Sequence, residues 1–267
     1  MIKKTDFMLL LFLMLVSLTG CGISDEDREE INALVDIYHK TRNTRDEKSL
    51  EYLLSPKWDD REKHIEQFKL QTQYFSDVRF FENWRRIEDS PLSFSSVDMK
   101  ISYNIIYIAP EQRVPVMKYN CLKELSFSKP SKQWKISNIK KHEKNCETVP
   151  PSEVQKIFHT LATRTAAMNN ADMALFETIV APDYPLRHKI IENNRKNLEL
   201  FKIINHSVKI RELVSYNSLK QTVRIRQHYD LVFQLPDQEE PQKMTGKKET
   251  LTLKRYEDGW KIKDGLN

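Results

Sequence analysis

The chain of 267 residues repeats itself at a fixed distance of 126 positions, and this repeat limits its fold more than any other feature. Residues 43–136 placed on residues 169–262 give 19 identities in 94 positions without a gap. Unrelated sequences of average composition would share roughly six. The triplet Trp-Lys-Ile that begins at Trp134 recurs at Trp260. Because one offset holds through several loops, the sequence predicts two copies of a single fold.

A pair of prolines marks the predicted boundary between the two repeats. Pro150 and Pro151 stiffen the chain and cannot lie inside a helix. Ser152 and Gln155 follow with the spacing of a capping box, which predicts that the next helix opens there. The sequence therefore predicts a first domain over 28–147, a linker over 148–152 and a second domain over 153–267.

Each repeat predicts three helices followed by a run of antiparallel strands. Ile31, Leu34, Val35 and Tyr38 recur at helical spacing, whereas residues 97–107 alternate between apolar and polar side chains, as in a strand with one dry and one wet face. The predicted helices are 26–44, 47–54 and 61–75, and 153–170, 173–180 and 187–201. The predicted strands are 78–87, 97–107, 119–127 and one from 134, and 204–214, 223–233, 245–253 and one from 260.

This element order resembles the nuclear transport factor two-like superfamily, which also includes ketosteroid isomerase and scytalone dehydratase. The resemblance rests on the element order, a domain length of about 120 residues, the Leu-x-x-Leu-Leu-Ser-Pro helix end at 50–56 and the final Trp-Lys-Ile strand. It implies an α+β fold with two tandem cone-shaped domains, each with three N-terminal helices packed on a curved antiparallel sheet. A pocket at the wide end is catalytic in some members and a binding surface in many.

The alternation of residues along each strand, together with the family resemblance, predicts which side chains line the two pockets. Lys123 and Glu249 have inward parity at equivalent positions near the strand ends. If they edge the pockets, the two copies would prefer different ligands; the alternative is that they reach solvent. Asp98 and Asp230 have outward parity and are expected to face water, so no catalytic residue is predicted. The candidate pocket residues are Trp58, Tyr103, Tyr107, Tyr184, Gln227 and Tyr229.

The N-terminus resembles that of a bacterial lipoprotein. Two lysines precede an apolar run over 7–16, which is shorter than the about 20 residues that a membrane-spanning helix needs. Leu18-Thr19-Gly20-Cys21 resembles the lipobox, which implies a signal peptide over 1–20, lipid such as palmitate on Cys21 and a polar tether over 21–27. An ordinary signal peptide with an incidental cysteine is the alternative.

The lipobox implies a chain that is lipid-anchored outside the cytoplasm. An Asp directly after the lipobox cysteine would resemble an inner-membrane retention signal, but this chain has Gly22 there. We therefore expect the periplasmic side of the outer membrane in a bacterium with two membranes, and otherwise the outer face of the cytoplasmic membrane.

Two further cysteines, Cys121 and Cys146, could form a disulfide in that oxidising compartment. Two free thiols remain an alternative, and a metal site is not expected because no His or Cys cluster has ligand spacing. The five glycines form no phosphate-binding loop, so no cofactor is predicted. The net charge of +5 is spread along the chain, and no nucleic-acid partner is predicted.

Three functions are compatible with these features. The first is a non-catalytic envelope lipoprotein, held on the membrane by its lipid, that binds a protein, a peptide or a small apolar ligand. The second is an isomerase, dehydratase or hydrolase of the same superfamily, which needs an inward acid or histidine that strand parity does not supply. The third is an accessory factor of cell-wall synthesis, because some penicillin-binding proteins carry a related non-catalytic domain.

Overall fold

A computed structural model of the chain describes residues 23–75, 77–88, 95–108, 115–142 and 146–266. Three helices lead into strands in each repeat, and the element bounds lie within a few residues of the predicted ones. The predicted α+β fold class is therefore confirmed. The first repeat contains α1 (Asp25–Thr44), α2 (Glu47–Leu53), α3 (Arg61–Tyr74), β1 (Asp77–Glu88), β2 (Ser96–Ile108), β3 (Val116–Ser128), β4 (Lys135–His142) and β5 (Glu147–Thr148). The second contains α4 (Pro151–Asn169), α5 (Met173–Ile179), α6 (Arg187–Leu200), β6 (Lys202–Asn217), β7 (Thr222–Gln234), β8 (Gln242–Tyr256) and β9 (Gly259–Asp264).

The strands form two sheets with the same order of connection. The first sheet runs β1-β2-β3-β4, with β5 paired to the beginning of β3, and the second runs β6-β7-β8-β9. Neighbouring strands of the second sheet pair antiparallel. Within the described part of the chain, no helix has the length and apolar character needed to cross a bilayer.

The hydrogen bonds that tie the first helix of each repeat to its last strand recur at the offset of 126. The indole Nε1 of Trp134 donates to Asp27 Oδ1 at 2.7 Å, and that of Trp260 donates to Glu153 Oε2 at 2.7 Å. Leu54 bridges to the strand of Trp134 as Val180 does to that of Trp260. Each indole therefore holds its α-helix against the closing strand through a charge-assisted hydrogen bond.

A β-bulge recurs in the third strand of both sheets. Asn120 and Gly246 have positive φ angles of 53° and 63°, which Asn and Gly adopt more readily than other residues. The backbone N–H at each bulge donates to the side chain across the sheet, to Asn104 Oδ1 at 3.0 Å and to Asp230 Oδ1 at 2.9 Å. The repeat thus extends to the irregular features of the sheets.

The packing of the described residues separates into two compact units that do not follow the predicted domain bounds. One unit comprises the described parts of 1–68, 85–101 and 123–141, and its core is built on α1–α3 and the strand of Trp134. The other comprises the described parts of 69–84, 102–122 and 142–267, and its core joins Ile106, Met117 and Tyr119 to the interior of the second repeat. The domain bounds 28–147 and 153–267 stay a prediction.

The predicted wet face of β2 is wet at only one end. Asp98 is exposed as expected, but Ser102 and Asn104 are 4% and 2% exposed. The Asn104 side chain donates to the carbonyl oxygen of Val214 at 2.8 Å and to Asn83 Oδ1 at 2.9 Å. The prediction was wrong from Ser102 onward because polar partners from β1 and β6 satisfy this part of the strand: Asn83 of β1 donates to Ser102, and β6 carbonyls accept from Asn104.

The predicted capping box at Ser152 is also wrong. Helix α4 begins at Pro151, with Pro150 in the capping position and no side chain accepting a hydrogen bond there. Proline suits this first position because its missing N–H would have no partner within the helix. The carboxylate of Glu153 bonds to the Trp260 indole.

The two indole bonds predict matched losses of stability. Trp134→Phe and Trp260→Phe each remove a donor to a carboxylate, so each should lower the free energy of unfolding by about 1.5–3 kcal/mol in urea titrations. Trp84→Phe is the control, because this indole is 48% exposed and should change stability by less than about 0.5 kcal/mol. A neutral result for either closing-strand variant would contradict the proposed role of its indole.

Candidate functional site

The site lies in the second repeat, and the irregular pairing of β6 creates it. The pairing shifts between Ile203 and Asn205, between Val208 and Ile210, and between Leu213 and Ser215. β7 keeps its alternation, and each shift adds one residue on β6. The cross-strand pairs that share the inward face are His206 with Leu231, Val208 with Tyr229, and Arg211 with Gln227.

Four polar side chains form a continuous belt across the interior. Arg164 of α4 holds Glu249 of β8 with two bonds, from Nη1 to Oε1 at 2.6 Å and from Nη2 to Oε2 at 2.9 Å. Gln227 of β7 donates from Nε2 to Glu249 Oε1 at 3.1 Å, and its own Oε1 accepts from Arg211 Nε at 3.1 Å. We call Arg164, Arg211, Gln227 and Glu249 the polar belt.

The polar belt holds one more positive charge than negative. The side chains of Arg164 and Glu249 are only 10% and 9% exposed and neutralise each other. Arg211 has no carboxylate partner among the described residues. Its Nε donates to neutral Gln227, and its guanidinium lies 5.4 Å from the ring centre of Phe158. Burial without a counter-ion lowers the pKa of Arg211. A guanidinium remains charged at neutral pH even so.

The belt separates an apolar floor from a more open mouth. On the floor side, the interior is filled by side chains that are at most 1% exposed. On the mouth side, the side chains are apolar or aromatic and only half-buried. The floor contains Leu213, Val223, Ile225, Leu251 and Leu253. The mouth contains Phe201, Tyr229, Leu231 and Phe233.

His206 lies at the edge of the mouth and is 3% exposed. Its ring centre is 5.0 Å from that of Tyr229, and its backbone exchanges hydrogen bonds with the Asn169 side chain. No described group bonds to its buried Nδ1. Burial, followed by the charge of Arg164, lowers the pKa of His206 to about 4, although Glu249 opposes the shift. The imidazole is therefore neutral at pH 7.

The equivalent positions of the first repeat carry different chemistry. Lys123 replaces Glu249, as the sequence indicates, and it is 1% exposed with Nζ 4.7 Å from the ring centre of Tyr38, which replaces Arg164. Arg85 replaces Arg211 and pairs with Asp36. The inward charges at the equivalent positions, Lys123 and Glu249, are therefore both withdrawn from water and have opposite signs.

The structure brings two of the six candidate pocket residues, Gln227 and Tyr229, to this site. Tyr184 is buried elsewhere, with its hydroxyl donating to the Leu266 carbonyl at 3.1 Å and accepting from the Leu266 N–H at 2.9 Å. Trp58 is half-buried against the first repeat's core, with its ring 5.3 Å from that of His64. Its role as a ligand contact, like that of the other five, stays a prediction.

The remaining two candidates, Tyr103 and Tyr107, belong to the first repeat. Tyr103 packs on Phe80, with ring centres 5.8 Å apart, beside Cys121. Tyr107 is half-buried, and its ring centre lies 5.0 Å from that of Phe75. The two tyrosines thus contact protein side chains in the described residues.

Cys121 and Cys146 are joined by a disulfide, one of the two arrangements that the sequence left open. The bond ties β3 to the residue before β5 across 25 positions. Cys21 lies outside the described residues, so its lipidation stays a prediction. Among the side chains that the structure describes, no group of three or more His, Cys, Asp or Glu is arranged to hold a metal ion.

Sequence reasoning missed Arg164, His206 and Arg211. Arg164 follows Leu161 by three residues and therefore lies on the buried face of α4. A charged residue at this spacing could have been recognised in the sequence as an inward-facing charge. His206 and Arg211 gave no such signal, because the bulges of β6 space its inward residues unevenly.

No protein-family model matches the chain. No curated protein matches it either.

The structural neighbours have the nuclear transport factor two-like fold, and each covers about half of the chain. A type 2 hexachlorocyclohexane dehydrochlorinase (LinA) is 13% identical over 47% of this chain and 90% of its own, with a TM-score of 0.41. A type 3 LinA from Novosphingobium barchaimii is 14% identical over 46% and 90%, with a TM-score of 0.41. A protein from Streptomyces avermitilis assigned as a dehydratase of the NTF2-like family is 13% identical over 43% and 94%, with a TM-score of 0.35. Likenesses this distant say nothing about activity.

The buried histidine predicts a pH dependence of stability. The pKa of His206 is lower in the folded chain (about 4) than its ordinary value of 6.5, so the unfolded chain binds more protons between these pH values. Stability should therefore fall as the pH drops from 6.5 to 4 and stop changing through this group below that.

His206→Phe places at this position the residue that the first repeat has there, Phe80. The variant should reduce the slope of unfolding free energy against pH by the equivalent of up to about one bound proton, as measured in urea titrations at several pH values. The half-buried His39, whose pKa is lowered to about 2, should leave a residual slope. His188→Gln, on an exposed part of α6, controls for the loss of a histidine. An unchanged slope in His206→Phe would refute the assignment.

Proposed function

We propose that this chain is a lipid-anchored envelope protein that binds a small, largely apolar ligand in the interior of its second repeat without transforming it. The observation that carries the proposal is the capture of Glu249 by Arg164 and Gln227. Both oxygens of this inward carboxylate are occupied by donors. The group is therefore held by protein donors, and it orients its neighbours rather than facing the interior as a free carboxylate.

The mouth of the second repeat supports binding of an apolar body. Its aromatic side chains are half-buried, and Phe201 and Phe233 lie with ring centres 5.4 Å apart. Apolar groups that are left partly exposed gain free energy when a ligand covers them, at roughly 25 cal/mol for each Å² removed from water. A few fixed polar groups beneath an apolar rim are typical of small-molecule sites.

Anchoring to a membrane is supported by the sequence alone. The lipobox ends at Cys21, and the described fold begins two residues later at Ile23. One residue that carries two or three acyl chains stays on a membrane, because each buried CH₂ contributes about 0.8 kcal/mol.

An enzyme of the isomerase or dehydratase type is the second candidate, and His206 is the observation in its favour. A neutral imidazole with a buried nitrogen that lacks a described partner can accept a proton. The ring of Tyr229 beside it could supply a hydroxyl. Binding ranks first because the belt offers His206 no carboxylate that is free to orient it.

A photoreactive ligand tests the binding proposal on the full chain in envelope membranes. A six-carbon primary amide that carries a diazirine should label β7 near Tyr229, because the mouth is the apolar surface that it can enter. Tyr229→Trp should reduce labelling there by about fivefold by filling the mouth, whereas Tyr107→Trp in the first repeat should not. Labelling spread evenly over the surface, as mapped by mass spectrometry, would defeat the proposal.

Metabolic labelling tests the anchor separately. Radioactive palmitate should be incorporated into the full chain expressed in a bacterium, and Cys21→Ala should abolish this because it removes the thiol that accepts the lipid. Cys146→Ala, which removes a different cysteine, should still be labelled. Palmitate on the Cys21→Ala chain would place the anchor elsewhere.

A further inference from the structure

Arg211 is held within the second repeat without the counter-ion that its equivalent has in the first. Arg85, 126 positions earlier, pairs with Asp36 and donates from Nη1 to the Asn32 carbonyl at 2.9 Å. The positions equivalent to Asp36 and Asn32 are Ala162 and Phe158. The second repeat thus keeps the arginine but has lost the aspartate.

The belt does not compensate for this loss. Glu249 is already bound bidentately by Arg164, and the described partner of Arg211 is the neutral amide of Gln227. Withdrawing a charge from water without an opposite charge beside it costs free energy. A bound anion would offset that cost. The ring of Phe158 lies 5.4 Å from the guanidinium and stabilises it only weakly.

The groups around Arg211 also define what could reach it. Tyr229, two residues further along β7 than Gln227 on the same face, is half-buried, so partly exposed apolar side chains lie on the mouth side of the belt to which Arg211 belongs. Every other described charge that faces it is accounted for: Arg164 and Glu249 neutralise each other, and His206 is neutral at pH 7. An incoming anion would meet one uncompensated cation.

We propose that Arg211 is the anion-binding residue of the second repeat and that its ligand is a small organic carboxylate with an apolar body. The planar guanidinium presents a pair of N–H donors that match the two oxygens of a carboxylate. The carboxylate end would replace the missing aspartate, and the apolar end would cover the half-buried rings of the mouth. This inference rests on the proposed function, which it makes more specific.

The test compares two probes that differ only in charge. A six-carbon diazirine carboxylic acid and the corresponding primary amide are crosslinked to the full chain at pH 7.5, and labelled peptides of β6 and β7 are quantified. The acid should label them about tenfold more strongly than the amide. Arg211→Gln should remove this preference by lowering acid labelling to the level of the amide, and Arg211→Lys should restore part of it.

Arg85→Gln is the matched control and should leave the preference intact. The melting temperature of Arg211→Gln should stay the same or rise, because the variant removes an uncompensated charge; a structural arginine would instead lower it. Equal labelling by acid and amide, or a preference that survives Arg211→Gln, overturns the inference while leaving the binding proposal standing. Failure of both probes to label β6 and β7 defeats both.

Discussion

The buried pair between Arg164 and Glu249 sets the chemistry of the second repeat. It joins the first helix to the third strand with two charge-assisted bonds in a region where each partner alone would be an unpaired buried charge. Because the two charges neutralise each other and both Glu249 oxygens accept hydrogen bonds, the pair offers a ligand no net charge. The next cation along the belt, Arg211, is therefore the group whose charge a ligand can satisfy.

The two repeats share a framework but differ in the side chains that the framework positions. The indole bonds of Trp134 and Trp260, and the bulges at Asn120 and Gly246, occur at the same offset. The indole bonds fix where helix and closing strand meet in both repeats, whereas the inward side chains between them differ. Lys123 opposite Tyr38 in one repeat, and Glu249 opposite Arg164 in the other, illustrate this division.

The sequence predicted the elements and the regular strands well because both depend on local periodicity. Gln227 and Tyr229 were found by parity because β7 has no bulge. His206 and Arg211 were missed because β6 gains a residue at each of three places, which breaks the alternation that parity relies on. The burial of Ser102 and Asn104 was missed for another reason, since the β6 carbonyls that satisfy Asn104 lie more than 100 positions along the chain.

A double-mutant cycle on Arg164 and Glu249 tests the central claim most directly. The free energy of unfolding is measured for Arg164→Leu, Glu249→Leu and the double variant of the full chain. If the pair is buried and mutually neutralising, each single variant should lose about 3–5 kcal/mol, and the double variant should lose at least about 1 kcal/mol less than the two losses added together. Losses that add within about 0.5 kcal/mol would mean that the two groups do not interact, and the account of the belt would be wrong.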